Sequence, residues 1–139
     1  RNLRQPLLGI CIGMQLLCRH SEEGDTDCLG VFDAPVRRFE PQRGNEKVPQ
    51  MGWNELAVRD AMCKTDDGGL FRHLGDNPFV YFIHSFYVPL CEHTIGVTDY
   101  IHPFSAALHK NNFYATQFHP EKSGKVGEQI LSNFLQINA

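Results

Sequence analysis

The stretch Leu8-Gly9-Ile10-Cys11-Ile12-Gly13-Met14-Gln15-Leu16 limits the possible folds more than any other part of this chain. An apolar run leads into a cysteine set between two glycines, and a helix-like run follows. The pattern marks a sharp strand-to-helix turn, in which the central residue holds strained backbone angles. Its neighbours lack side chains so that strand and helix can cross closely. The thiol of Cys11 then stands at a helix N-terminus, where the backbone dipole favours thiolate over thiol. With 12 glycines and 5 cysteines in 139 residues, composition alone yields roughly 0.04 such matches by chance. The competing reading is a buried, inert cysteine that ends a core strand.

A chain of 139 residues makes at most one ordinary domain, and 1–139 reads as the C-terminal part of one. Its 42% hydrophobic and 21% charged residues are those of a globular protein. A net charge of −3 supplies no basic footprint, so no nucleic acid partner is expected. No apolar run reaches the length of a membrane span, and no charged-then-apolar leader opens the chain. The cysteines, at 11, 18, 28, 63 and 91, are odd in number and include no Cys-x-x-Cys pair. That argues against a disulfide framework or structural zinc and for a reducing, cytoplasmic setting. Of seven histidines only His119 has a spacing that suggests chemistry. His20, His73, His84, His93, His102 and His109 read first as surface or core residues, and no metal site is expected. The opening Arg1-Asn2-Leu3-Arg4-Gln5 lacks an initiator methionine and runs at once into an apolar strand, so a natural N-terminal part is expected to precede this numbering.

Along the chain, residues 6–10 predict a central strand and residues 12–20 a short helix with Met14, Leu16, Leu17 and Cys18 as its apolar surface. Residues 21–27 form an acidic loop, 35–39 a strand with Val36 and Phe39 on different faces, and 41–47 a polar turn. Residues 48–54 carry the only tryptophan, fenced by glycine and proline. Strand signals follow at 55–59, 79–88, 94–101, 105–108 and 113–118, with the aromatic and β-branched run 79–88 the strongest. Residues 60–69 read as a loop, 70–74 as at most one helical turn, and 110–112 as a hairpin turn. After Pro120 the period changes: Val126, Ile130, Leu131, Phe134 and Leu135 recur at helical spacing, predicting an amphipathic helix that covers a sheet.

Gln117-Phe118-His119-Pro120-Glu121 places an imidazole and a carboxylate two residues apart at the end of a strand. In extended chain such residues face the same way, and Pro120 stiffens the link. Glu121 can then hold one ring nitrogen of His119, fix its tautomer and support the imidazolium formed when the ring takes the Cys11 proton. A histidine-activated cysteine of this kind is expected to be mostly thiolate near neutral pH.

Gly9-Ile10-Cys11-Ile12-Gly13-Met14-Gln15-Leu16-Leu17 with Gln117-Phe118-His119-Pro120-Glu121-Lys122-Ser123 resembles the class I (triad) glutamine amidotransferases. The stretches 48–54 and Tyr81-Phe82-Ile83-His84-Ser85-Phe86 are similar to one branch of them, the glutaminase subunits of imidazole glycerol phosphate synthase in histidine biosynthesis. The resemblance covers nearly the whole chain. It implies an α/β, three-layer fold around a central mixed sheet, with no cofactor. Catalysis would fall to Cys11 as nucleophile, His119 as general base then acid, and Glu121 as its orienting group. The Ile12 backbone N–H would be an oxyanion donor. Gln15, one helical turn past the nucleophile, and the backbone around Ser85 and Phe86 would bind glutamine. Met51, Gly52, Trp53, Asn54, Tyr81 and Lys122 match the face that meets a (β/α)₈-barrel cyclase, the partner that receives ammonia in a heterodimer.

Read from the residues alone, a lone tryptophan in such a segment is more often a buried anchor, although Trp and Tyr are favoured interface hot spots. Tyr81 reads equally as a half-buried strand aromatic. Gln50 stands where the family often has histidine. The family's opening strands, and the glycine-rich loop giving a second oxyanion donor, have no counterpart here, so a molecule starting at Arg1 is expected to be inactive and poorly stable. Rival readings are the glutaminase of another class I synthase, a γ-glutamyl hydrolase, and a dead partner-binding fragment.

Overall fold

The computed structural model describes residues 5–58, 69–75 and 78–137. The apolar run at the start forms β1 (Leu7–Ile10) and passes through Cys11 directly into α1 (Ile12–Leu16). Short strands β2 (His20–Ser21), β3 (Thr26–Asp27) and β4 (Pro35–Arg38) follow. Then come β5 (Gln50–Glu55), β6 (Ala57–Val58), β7 (Phe79–His84) and β8 (Phe86–Tyr87). The chain closes with β9 (Thr94–Tyr100), β10 (His102–Lys110), β11 (Phe113–Thr116), a 3₁₀ turn at Pro120–Lys122 and α2 (Gly124–Leu135). No helix among the described residues is long and apolar enough to cross a membrane.

The central sheet runs β1-β11-β10-β9-β6 and is mixed: β1 pairs with β11 in parallel and the other neighbours are antiparallel. Its two faces bury separate cores, as the alternation of β11 requires. Tyr114 joins Phe82, Phe104, Phe118 and Ile130 of α2 on one side, while Ala115 joins Met14 and Leu17 around α1 on the other. Val36 and Phe39 likewise enter different cores. A sheet with a helix-bearing core on each face is the three-layer α/β arrangement anticipated above. A second sheet, β3-β2-β4-β8, and the ribbon β5-β7 lie beyond it.

Several local expectations are corrected. The helix predicted over 12–20 stops at Leu16, because sheet pairing claims the next residues. Arg19 N–H donates to Ala34 O, and His20–Ser21 pairs with both β3 and β4. The acidic loop 21–27 is therefore the tip of a small hairpin. The tryptophan segment is strand β5, paired residue for residue with β7 from Gln50↔His84 to Glu55↔Phe79. The long strand 79–88 breaks at Ser85, so that Phe79–His84 serves β5 and Phe86–Tyr87 serves β4. The strand at 55–59 is interrupted at the buried Leu56, and the one at 105–108 extends to His102–Lys110. Leu135, counted in the apolar stripe of α2, is 82% exposed, whereas Ile130 and Phe134 face the core. The loop expected at 60–69 lies outside the described residues except for Gly69.

Candidate active site

Parallel pairing solves the problem of joining the two ends of the chain. Because Ile10 is in register with Thr116, the residues just past β1 and β11 emerge side by side, and Cys11 N–H donates to Thr116 O at 2.8 Å. Such carboxyl ends of parallel strands are where open α/β sheets place their sites. Cys11 sits at φ 55°, ψ −108°, a left-handed φ that few non-glycine residues adopt. The close crossing beneath it depends on Gly9. A Cβ there would lie 2.9 Å from Gly13 O and 3.0 Å from a Leu17 methyl. Gly13 itself has nothing within 4 Å of the corresponding point, so the need for a missing side chain holds at Gly9 and not at Gly13.

The Cys11 thiol donates to Ile83 O at 3.5 Å and receives the Gln117 Nε2 amide at 3.7 Å. Burial pushes its pKa above the usual thiol value. The Ile12 backbone N–H and the Gln117 amide pull the other way, while Glu121 and Glu23 add to the rise. Burial thus outweighs the donors at the start of the five-residue α1 and disposes the sulfur toward the thiol, and the thiolate expected of a histidine-activated cysteine needs contact with His119. The sulfur is nonetheless half-buried rather than enclosed.

His119 Nδ1 meets Glu121 Oε2 at 2.8 Å. The pair forms through a turn rather than along an extended strand: β11 ends at Thr116, His119 is extended (φ −98°, ψ 101°), and the 3₁₀ turn beginning at Pro120 swings Glu121 back onto its own neighbour. The turn is held from both sides. His119 N–H donates to Tyr81 O at 2.9 Å, and Ser123 Oγ donates to His119 O at 2.6 Å while accepting Tyr81 N–H at 3.0 Å. Gly127 of α2 lies against it so tightly that a Cβ would fall 1.8 Å from Pro120 O. Among the described residues no hydrogen bond joins His119 to Cys11.

A cavity of ≈ 180 Å³ opens beside the sulfur, lined by Cys11, Ile12, Gln15, Glu23, Ile83, His84, Ser85 and Phe86. Its size suits a single small metabolite. Gln15, Ser85 and Phe86 thus meet at one place, but the carbonyls are already committed: Ser85 O accepts Phe39 N–H, and Phe86 O accepts Gln15 Nε2 and faces His84 Nδ1. Three contributors escape a sequence reading. Glu23 arrives from the hairpin tip, and only the pairing of β2 with β3 and β4 could have revealed it. Gln117, fully buried, acts within a motif whose histidine and glutamate drew all the attention. His84 is 5% exposed, between Phe86 O at 2.8 Å and the Gln50 side-chain amide at 2.7 Å. Burial pushes its pKa down to about 4. A neutral ring donates from Nδ1 to Phe86 O, which leaves Nε2 an acceptor and requires the Gln50 amide, whose Oε1 stands there, to turn its N–H toward the ring, and His119 is the available base. Gln50, where the family often carries a ring, is itself buried as that partner.

The remaining six residues gather on the β5–β7 ribbon and the 3₁₀ turn. Met51 is 66% exposed and Trp53 55%, which overturns the buried-anchor reading of the tryptophan. Trp53 leans edge-on against Tyr81 with centroids 5.8 Å apart. Gly52 holds φ 135° between them in sequence, Lys122 is exposed in the turn, and Asn54 Nδ2 is tied to Asp99 O at 3.0 Å.

Among curated proteins, the "Imidazole glycerol phosphate synthase subunit HisH" of Bacteroides thetaiotaomicron is 62% identical over 137 residues, 99% of this chain and 66% of that protein. The protein of that name from Yersinia pseudotuberculosis is 42% identical over 138 residues, again 99% of this chain and 66% of its own length. The chain therefore spans about two thirds (66%) of the curated relatives it matches. A solved structure described as a glutamine amidotransferase superposes with TM-score 0.62 at 20% identity, over 95% of this chain and 60% of that one, a likeness of fold. A family model described as "Glutamine amidotransferase class-I" matches residues 1–137, and with the elbow and the His119–Glu121 pair standing at adjacent strand ends, this chain belongs to that family.

Proposed function

We propose that this chain is the glutaminase part of an imidazole glycerol phosphate synthase, releasing ammonia from glutamine for a (β/α)₈-barrel cyclase that forms imidazole glycerol phosphate and AICAR in the cytoplasm. The observation that carries the reading is the 62% identity, over 99% of the chain, to a protein bearing that subunit's name. The chemistry follows from the site. His119 removes the Cys11 proton, and the thiolate attacks the side-chain amide carbon of glutamine. The Ile12 N–H, already directed at this corner, stabilises the tetrahedral oxyanion. Glu121 on Nδ1 leaves Nε2 to deliver the proton to the departing nitrogen, so ammonia leaves and a thioester remains. Water, activated by the same imidazole, releases glutamate and restores the thiol.

A glutamine seated in the cavity presents an α-ammonium, and Glu23 is the carboxylate that lines this space. Glu23→Gln is expected to raise KM about tenfold with little change in kcat, the pattern of lost ground-state binding; an unchanged KM refutes that role. The exposed Met51 and Trp53 give the cyclase an apolar, aromatic face on which to dock. Cys11→Ala, assayed with the cyclase, tests the whole reading. Glutamine-dependent synthesis should vanish and synthesis from added ammonium should persist, whereas loss of both marks Cys11 as structural and overturns the proposal.

A further inference from the structure

The sulfur of Cys11 is touched by an amide for which the reaction above has no use. Gln117, one residue past β11, is fully buried, with Nε2 3.7 Å from Sγ and Oε1 accepting Gln15 Nε2 at 3.1 Å. Gln15 Nε2 places its other hydrogen on Phe86 O, also at 3.1 Å. The orientation of both amides follows from that last contact. A backbone carbonyl can only accept, so Gln15 must present nitrogen to it. The same nitrogen faces Gln117, so Gln117 must present oxygen to Gln15 and N–H to the sulfur. A thiol is a weak acceptor and a thiolate a strong one, so this donor gains most when the sulfur is ionised. An apolar side chain at position 117 would fill the same space without the cost of burying an amide.

We propose that Gln117 is a positioning residue for Cys11: Gln15, anchored on Phe86 O, locks the Gln117 amide with its N–H toward the sulfur, favouring the thiolate and tying it to the cavity wall. The inference rests on Cys11 being the nucleophile of the proposed function. Other titratable groups near the sulfur are the same in every variant: Glu23 from the hairpin and Glu121 from the 3₁₀ turn oppose ionisation, burial disfavours a charge on His84 of β7, and His119, held on Nδ1 by Glu121, makes no hydrogen bond to the sulfur among the described residues.

The test is the pH dependence of Cys11 alkylation by iodoacetamide, followed by peptide mass mapping in the full chain, which reads the thiolate whether or not glutamine is hydrolysed. Gln117→Met should raise the midpoint by about one pH unit, roughly tenfold less thiolate at a fixed neutral pH. Gln117→Glu keeps the acceptor for Gln15 but removes the donor to sulfur, and should raise the midpoint further. Gln15→Met leaves the Gln117 amide free to turn and should move it the same way, which keeps the relay testable if position 117 tolerates no change. Midpoints matching the unsubstituted protein in natively folded variants overturn the proposal. Failure of the unsubstituted protein to hydrolyse glutamine, with the midpoint shifts present, would instead count against the proposed function alone.

Discussion

Replacing His84 by glutamine should remove a large part of this protein's acid sensitivity, and the size of the effect follows from the ring's surroundings. Burial lowers its pKa to about 4 from 6.5; the hydrogen bond to Phe86 O opposes that shift and the nearby His119 adds to it. As pH falls through the ordinary value, the unfolded chain binds a proton that the native ring refuses. Stability therefore rises with pH across this window: the contribution is complete above about 6.5 and is lost as pH drops toward about 4. At 1.36 kcal/mol per unit the whole window is worth roughly 3 kcal/mol, of which roughly 2.5 kcal/mol is gone by pH 4.5. Glutamine at this position can still donate to Phe86 O but does not titrate. Urea unfolding followed by far-UV circular dichroism at pH 8, 6.5, 5.5 and 4.5 should show the unsubstituted protein losing roughly 2.5 kcal/mol more than His84→Gln between the extremes. Carboxylates titrate in both proteins and cancel. Parallel stability curves would refute the assignment of a neutral, buried imidazole.

Gly127→Ala forces a Cβ to within 1.8 Å of Pro120 O and should destabilise by at least about 2 kcal/mol while displacing the His119–Glu121 turn, seen as a lower Tm together with lost glutamine hydrolysis. Gly9→Ala should cost about 1–3 kcal/mol in a thermal melt because its Cβ meets the Gly13 backbone, whereas Gly13→Ala, with open space and a helical position, should be neutral or stabilising by up to about 1 kcal/mol. Equal effects at the two glycines would contradict the crossing described here. Trp53→Ala should leave the melting temperature within a degree or two yet weaken binding to the cyclase by about 2 kcal/mol in calorimetric titration; unchanged affinity would remove this face from the interface.

The parts legible in the sequence are those set by local chemistry. Gly-x-Cys-x-Gly announces an elbow because the backbone strain at Cys11 and the crossing at Gly9 are properties of a few neighbouring residues. The period change after Pro120 announces α2 for the same reason. What local patterns could not supply was pairing. The end of α1 at Leu16 is fixed by Ala34 and Asp27, partners far along the chain, and no helical propensity within 12–20 reports them. Trp53 looked like an anchor because its flanking Gly52 and Pro49 suggested a loop. Strand pairing with Tyr81 instead puts the ring on an open face. Glu23 and Gln117 were invisible as functional residues because each takes its role from the fold: a hairpin tip beside a cavity, and a buried amide beside a sulfur.

The same pairing explains why the triad residues can be present without a resting thiolate. The elbow holds Sγ beside the cavity wall, and the burial this requires raises the thiol pKa. The carboxylates suited to an ammonium and an imidazolium, Glu23 and Glu121, raise it further, and no lysine or arginine lies among the described residues lining the cavity. Among the described residues two donors, the Ile12 N–H and the Gln117 amide, favour the anion. Ionisation therefore depends on an imidazole that reaches the sulfur, and His119, with Nδ1 held by Glu121 and its backbone pinned to Tyr81 O, keeps Nε2 for that task. A sulfur that stays protonated until such a base arrives is a poor target for alkylating agents and oxidants, since both act on the thiolate. Reactivity in this site is thus conditional on geometry, and the strained turn alone does not confer it.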